Sequence, residues 1–382
     1  MAYTTINKCK THYETKLYSG DGGTQTITGL GHQPDMTLVK SRNTTDGWTI
    51  QDAVRGFGQT TKLATYDNSG ENDSGGGSYG NYGYQSAATA DGFTMVAGST
   101  PGQNNKSGNN YCSWNFKAGG TAPTKTYKVV VVSDSGNKYR FRNSADTATF
   151  GTSAVTLDLQ EGGTYTFDVS DSSMNSHPFV IGTAANGTEY STGVTYKLDG
   201  VTKTYSQYTS GFSAATTRQL IITVPASAPA LYYWCSAHSG MGGAINTNTT
   251  FGSSNFDGTL QSKVSVNTTS GFSIVRYTGV SGAQSFGHDL GAVPKMVIVK
   301  NLTSTGSSGE HWRVYHSGQG AGHYFRLINF SIKNKINLKE IGLEKFLLYL
   351  IDNSFYKKDA FIKDCIYQYL DSKFAFFHHN IF

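Results

Sequence analysis

The sequence predicts an all-β, multidomain protein, and three observations predict it. The body is rich in Gly, Thr, Ser and Asn, residues that suit turns, short strands and exposed polar sheet faces. Gly alone supplies 45 of the 382 residues. Short β-prone runs recur at regular spacing, each bounded by turn residues. One strand-turn-strand unit also occurs twice, with a different β-rich stretch between the copies. Aromatic residues, at 13%, are enough to fill several small cores, which argues against disorder.

Residues 1–120 form the first β-rich module. TKLYSGDGGTQTITGLG reads as a strand, a D-G/G-G turn and a second strand, and MTLVKSRNTTDGWTI repeats that form. The stretch from Asp67 to Tyr84 is dominated by Gly, Asn, Ser and Asp and reads as a long loop. DGFTMVAG and YCSWNFKAGG add two strand-like runs, and TAPTK at 121–125 reads as a linker. Residues 126–249 hold TYKVVVV, RFRN, AVTLDLQ, TYTFDVS, HPFVIGT, RQLIITVP and LYYWCSA. That many short runs in one stretch, with EGG and DG turn signals between them, predict a β-sandwich.

Residues 250–326 return to the first style as a partial second copy. YSGDGGTQTITGLGHQPDMTLVK (18–40) matches YTGVSGAQSFGHDLGAVPKMVIVK (277–300) with one residue inserted. Tyr18 and Tyr277, Pro34 and Pro294, Met36 and Met296, and Lys40 and Lys300 coincide, and Trp48 and Trp312 fall in comparable strands. Repeated Gly and Pro positions imply the same turns; repeated Met and Val positions imply the same core face. Residues 327–382 differ abruptly, with one Gly, no Pro, Thr or Val, and eight each of Lys, Ile and Phe. LKEIGLEKFLLYLI there has helical Leu/Ile spacing. Two readings fit: an appended, helical interaction tail, or a frameshift or junction with unrelated low-GC coding sequence.

The formal charge of +5 does not point to nucleic acid, because eight of the 31 basic residues sit in that final stretch and the body has no Arg/Lys block. No run of apolar residues is long enough for a membrane span. The N-terminus has no apolar stretch of the signal-peptide kind, so synthesis in a cytoplasm without secretion is expected. Cys9, Cys112, Cys235 and Cys365 lie far apart and form no disulfide framework. The nucleotide loops, zinc-protease helix, calcium loop and serine elbow of common enzymes are all missing. Asp21, Asp35, Asp46 and Asp52 read as turn and capping residues, and His32 and His288 as exposed turn residues. Trp48, Trp114 and Trp312 read as sheet-core side chains, with stacking on surface sugars as the other reading.

One constellation is chemically specific. LYYWCSAHSGMGG at 231–243 places Cys235, His238 and Met241 in a tight Gly-rich loop after a strong strand, spaced C-x2-H-x2-M. His177 follows the strand TYTFDVS, and in a sandwich the two segments can be neighbours. A thiolate, two imidazoles and a weak thioether form the trigonal His₂Cys set with a long axial Met that suits copper; zinc also accepts Cys and His.

On those residues the stretch 126–249 resembles the cupredoxin, plastocyanin-like family. The resemblance implies a Greek-key β-sandwich with a type 1 copper site in which His177, Cys235 and His238 are ligands and Met241 the axial methionine. Two departures from the family pattern are the short His238-to-Met241 gap and Pro178 directly after His177. The flanking segments KLYSGDGG, GHQPDMTLVKSR, NNYCSWNFKAGG, LGAVPKMVIVKN and HWRVYH resemble β modules of structural proteins of marine bacteriophages, which also carry cupredoxin-like insertions. That resemblance implies a virion component, a tail fibre or other tail-associated surface protein, with no enzymatic role. Its implied partners are other virion proteins and a host surface glycan or receptor. A homo-oligomer is expected, and a trimer would suit a fibre. The alternative is a copper-binding electron-transfer protein in which the central domain is the working part.

Overall fold

The computed structural model describes residues 8–66, 68–71, 79–100, 102–119, 122–248, 252–303, 311–318, 320–327 and 374–381. Within them the protein is all-β, with one short α-helix. The chain divides into two compact units. Unit 1 comprises residues 1–120, 265–280 and 288–382; unit 2 comprises 121–264 and 281–287.

In unit 1 the first copy supplies β1 (Tyr13–Ser19), β2 (Thr24–Thr28), β3 (Met36–Ser41), β4 (Thr49–Asp52), β5 (Leu63–Ala64), β6 (Tyr84–Thr89), β7 (Gly92–Val96) and β8 (Asn110–Phe116). They form a sheet β1-β8-β3-β4-β5 and a smaller sheet β2-β7-β6. β8 runs antiparallel to both its neighbours.

Unit 2 is built from β9 (Thr124–Ser133), β10 (Asn137–Arg142), β11 (Leu157–Gln160), β12 (Thr164–Asp168), β13 (Phe179–Gly182), β14 (Val194–Leu198), β15 (Val201–Lys203), α1 (Tyr205–Gly211), β16 (Arg218–Thr223), β17 (Leu231–Cys235), β18 (Ala244–Asn248), β19 (Ser253–Asn255) and the start of β20 (Ser262–Asn267). Its two sheets run β10-β9-β12-β16-β14-β15 and β11-β18-β17-β13. Alternation explains why these strands form a sandwich. On β12, Tyr165 and Phe167 are buried while Thr164, Thr166 and Asp168 are not; on β10, Tyr139 and Phe141 are the buried pair. The buried rings share one core, with Phe141 stacked on Phe256 at 4.5 Å and Phe167 on Phe179 at 4.8 Å. Helix α1 starts at a capping box, where the Thr204 hydroxyl accepts the Gln207 N–H and the Gln207 side chain accepts the Thr204 N–H. It buries Tyr208 in the same core.

The second copy returns to unit 1 with β21 (Phe272–Gly279), β22 (Met296–Asn301), β23 (Trp312–His316) and β24 (Phe325–Leu327), and the tail adds β25 (Phe374–Ile381). Its strand order β21-β25-β22-β23-β24 mirrors that of the first copy. Registers agree as well: Val39 faces Thr49, and Val299 faces Arg313, which makes Trp48 and Trp312 equivalent. The slot that β8 fills in the first copy is filled in the second by β25, which runs parallel to both neighbours. The two copies share one core, in which Met36, Leu38 and Ile50 pack with Ile274, Ile298 and Trp312. Trp312 is buried and its indole N–H donates to the Ala64 carbonyl at 2.9 Å. The helical spacing read at residues 338–351 lies outside the described residues; near the end of the 327–382 tail, β25 is a strand.

Two readings of single residues change. His32 is not an exposed turn residue: it is 4% exposed, with Nδ1 2.8 Å from the Lys10 carbonyl. Burial lowers its pKa below the usual histidine range, so a neutral ring fits there. Asp35 does more than shape a turn. It is fully buried, and its Oδ2 accepts the Ala118 and Gly119 N–H groups at 2.7 Å each, while Oδ1 has no partner. Desolvation raises its pKa from 3.8 to about 7. The folded protein therefore keeps this proton where the unfolded chain has lost it. Stability from this group is full at and below the ordinary carboxyl pKa and falls as pH climbs towards about 7, levelling off above. Asp35→Asn is expected to remove that fall, so that wild type loses stability relative to the variant between acidic and neutral pH by about a few kcal/mol. Urea midpoints measured on both proteins across that range check it; parallel profiles would contradict it.

Candidate metal centre

β13 and β17 are antiparallel neighbours, with Phe179 facing Cys235 and Val180 facing Trp234. The ladder continues one step past both strands, where the Ser236 N–H donates to the Pro178 carbonyl at 3.1 Å. His177 therefore stands next to the loop that carries His238. Its own approach is shaped by a one-turn 3-10 helix, Ser172–Met174, which Asp171 caps by accepting the Ser173 N–H at 2.9 Å. The His177 N–H donates to the Met174 carbonyl at 2.8 Å, and the Arg218 guanidinium donates to the Ser170 and Asp171 carbonyls.

The loop 236–243 needs its glycines. Gly240 has φ +72°, in the left-handed region. A Cβ on Gly242 would lie 1.8 Å from the Tyr233 carbonyl oxygen. These contacts fold the loop back on β17, so that the Gly243 carbonyl accepts the Tyr233 N–H at 3.0 Å.

The outcome is a triangle of donor atoms. His177 Nδ1 lies 3.1 Å from His238 Nδ1, and Cys235 Sγ lies 3.9 Å from the first and 3.6 Å from the second. Bonds of about 2.0–2.1 Å to nitrogen and about 2.3 Å to sulfur reach one common point near the plane of such a triangle. Two Nδ1 atoms this close cannot both carry protons without repulsion, whereas a cation between them satisfies both lone pairs. Among the described residues this is the one group of three or more His, Cys, Asp or Glu ligand atoms gathered this closely.

Burial is graded across the site. Cys235 is 1% exposed, His177 is half-buried and His238 is exposed. Met241 is also buried, at 1%, in the same core cluster as Cys235. Desolvation, and then the neighbouring His238, hold the His177 pKa below the usual range, which keeps its lone pair free near neutral pH. Cys235 is a free thiol. All three of His177, Cys235 and His238 thus come together as their spacing predicts, with Met241 on the buried side of the loop.

RFRN marks a strand in the sequence but not its start beside the site; strand β10 borders the site with three consecutive residues, Asn137 to Tyr139. The Asn137 side-chain amide lies 3.4 Å from His177 Nε2. The Lys138 ammonium donates to the Gly240 carbonyl at 2.6 Å. The Tyr139 hydroxyl donates to the His177 carbonyl at 3.0 Å, and its N–H donates to the Met241 carbonyl at 2.9 Å. Only the alternation of Asn-Lys-Tyr-Arg-Phe, which buries Tyr139, hinted at this.

Comparison with known proteins places the chain without assigning it an activity. No curated protein matches it. The profile of DUF7483, a domain of unknown function, matches residues 8–223 and again 210–339. Those matches span most of the sequence, and the chain belongs to the DUF7483 family.

Proposed function

We propose that this protein is a structural component of a phage particle, a tail fibre or other tail-associated surface protein, and that unit 2 is a metal-binding sandwich of the cupredoxin type within it. The observation that carries the metal reading is the triangle of His177 Nδ1, His238 Nδ1 and Cys235 Sγ, with edges of 3.1–3.9 Å. The particle reading is supported by the resemblance of the flanking segments and by a duplicated polar β unit, which suits repeated assembly contacts.

Copper is the first candidate, because one thiolate and two imidazoles suit it; His177, Cys235 and His238 would hold it, and the buried Met241 would offer a weak further sulfur donor. Zinc is the second. Bound copper would supply reversible one-electron chemistry. The chain's own residues do the rest. Cys235 and Met241 sit in the dry core, the register of β13 and β17 holds His177 in place, and the glycine loop returns His238 to the surface. A metal here also ties two distant segments together and adds its binding free energy to the fold. No step in this reading makes the protein an enzyme.

The second reading, an electron-transfer protein, is favoured by one observation: His238 is exposed while the thiol is buried. A surface imidazole on a buried centre offers a short electron path to a partner. Reversible reduction without loss of the ion would favour this reading over a purely structural tie.

Metal-free protein titrated with Cu(II) is expected to take up one equivalent and turn intensely coloured through thiolate-to-copper charge transfer, and Cys235→Ser is expected to abolish the colour. A colourless wild-type product would sink the copper reading; tight Zn(II) uptake alone would leave zinc in its place. Acid should bleach the complex, because protons compete for the imidazoles. With the His177 pKa lowered, bleaching should begin below the usual histidine range rather than within it, which absorbance against pH will show. Antibody to unit 2 is expected to label intact particles under the electron microscope, and labelling confined to lysate protein would remove the virion reading.

A further inference from the structure

His238 sits on the part of its loop that the core does not hold. Ala237, His238, Ser239 and Gly240 are exposed, between the buried Cys235 and Met241. Packing in the core fixes both ends of that stretch and leaves its middle to hydrogen bonds. At the near end the Ser236 N–H donates to the Pro178 carbonyl at 3.1 Å. At the far end β10 takes hold. It is an edge strand, paired with β9 on one side. On the edge left free by β9, the Tyr139 N–H donates to the Met241 carbonyl at 2.9 Å. One residue earlier, the Lys138 ammonium donates to the Gly240 carbonyl at 2.6 Å. Among the described residues, Lys138 is the side chain that donates to the backbone of the exposed stretch.

This is not the acid pairing expected of a surface lysine. Arg140 follows Lys138 on the same face of β10 and donates to the Asp134 carboxylate at 3.0 Å. Ser153 donates to the same carboxylate oxygen at 2.6 Å. Lys138 bonds instead to an uncharged carbonyl two residues past His238.

We propose that Lys138 is the positioning residue of the candidate metal centre: its ammonium ties Gly240 to β10 and so holds His238 Nδ1 close to His177 Nδ1 and Cys235 Sγ. This rests on the metal-binding reading of the same site. Glycine has the most backbone freedom to lose, and the loop has it at 240, 242 and 243. A tie at Gly240 removes loop conformations that would carry the imidazole away from the other two donors. Donors already in place when the ion arrives lose less freedom on binding it.

Two effects of this side chain oppose each other. An ammonium beside the donor triangle repels an incoming cation and weakens binding. The tie keeps the triangle closed and strengthens binding. Lys138 is half-buried, so solvent and salt screen the repulsion. A short charge-assisted hydrogen bond is the larger of the two. The sign of the change on removing the ammonium therefore tells them apart.

The test uses the full chain, Co(II) as probe and two variants. Lys138→Leu removes the donor and the charge; Lys138→Arg keeps both. Circular dichroism checks that each is folded. The expected result is roughly tenfold weaker Co(II) binding by Lys138→Leu, with a changed thiolate-to-cobalt absorption band, and recovery of both in Lys138→Arg. Equal or tighter binding by Lys138→Leu overturns the assignment and leaves the metal reading standing. If wild type takes up no Co(II), the metal reading falls. The tie is then judged in metal-free protein by amide hydrogen exchange read by peptide mass spectrometry. Faster exchange across residues 236–241 in Lys138→Leu, restored in Lys138→Arg, upholds the hold of β10 on the loop; equal exchange in all three proteins overturns it.

Discussion

Everything in the candidate site depends on one strand register. β13 meets β17 with Phe179 opposite Cys235 and Val180 opposite Trp234. Side chains alternate along a strand, so a slip by one residue would send Cys235 to the opposite face. His177 would then stand a residue away from His238, and the donor triangle would open. The register is held from both faces. Phe179 and Tyr233 are stacked at 5.4 Å in the core, and Gly182 admits the Trp234 indole so closely that a Cβ would meet its nitrogen at 3.0 Å. Apolar packing that serves the sandwich thus also sets the distances between polar atoms at its end. This fixing of ligands by rigid strands is what lets a site keep its geometry as an ion comes and goes.

The grouping of His177, Cys235 and His238 was legible because its signals are local and chemical. A C-x2-H pair in a glycine loop after an apolar strand has few competing meanings, and a histidine just after another strand needs only a sandwich to join it. The strands of unit 2 were legible for a similar reason: alternation is strict on β10 and β12. Helix α1 was within reach, since Thr204 and Gln207 have the spacing of a capping box, yet only seven residues follow the cap and no apolar periodicity shows in so short a piece. Lys138 was out of reach. Its tie to Gly240 arises from β10 pairing with β9 and facing a loop about a hundred residues later, and no spacing rule records that. His32 misled because a Gly-flanked histidine looks like a turn residue, while its burial comes from the Lys10 segment folding over it.

The duplication had a similar limit. Shared Gly, Pro and Met positions reveal that one unit is used twice and even predict the agreement of registers at Trp48 and Trp312. They do not reveal whether the two apolar faces meet. They do meet: Phe116 of the first copy stacks on Phe272 of the second at 5.4 Å and 11°. Each copy presents one apolar sheet face, and a single layer cannot bury its own face. Packing the copies together removes both faces from water at once.

A discontinuous unit 1 raises the question of how it tolerates a whole sandwich between its halves. The answer lies in where the sandwich begins and ends. Tyr127, near its start, donates its hydroxyl to the carbonyl of Ser254, near its end, at 2.8 Å. The Gln160 side chain accepts the Gly252 N–H at 3.0 Å, and the Tyr165 hydroxyl meets the Ser253 hydroxyl at 2.5 Å. Entry and exit strands are thus closed on each other inside unit 2. Once the sandwich has folded, its own entry and exit strands are held close together. Loop-closure entropy grows only slowly with length, but a folded insert with adjacent ends removes most of it. An ion bound by His177, Cys235 and His238 would therefore act beyond its own site. It would do so by adding its binding free energy to the folded sandwich, whose entry and exit strands these hydrogen bonds hold together.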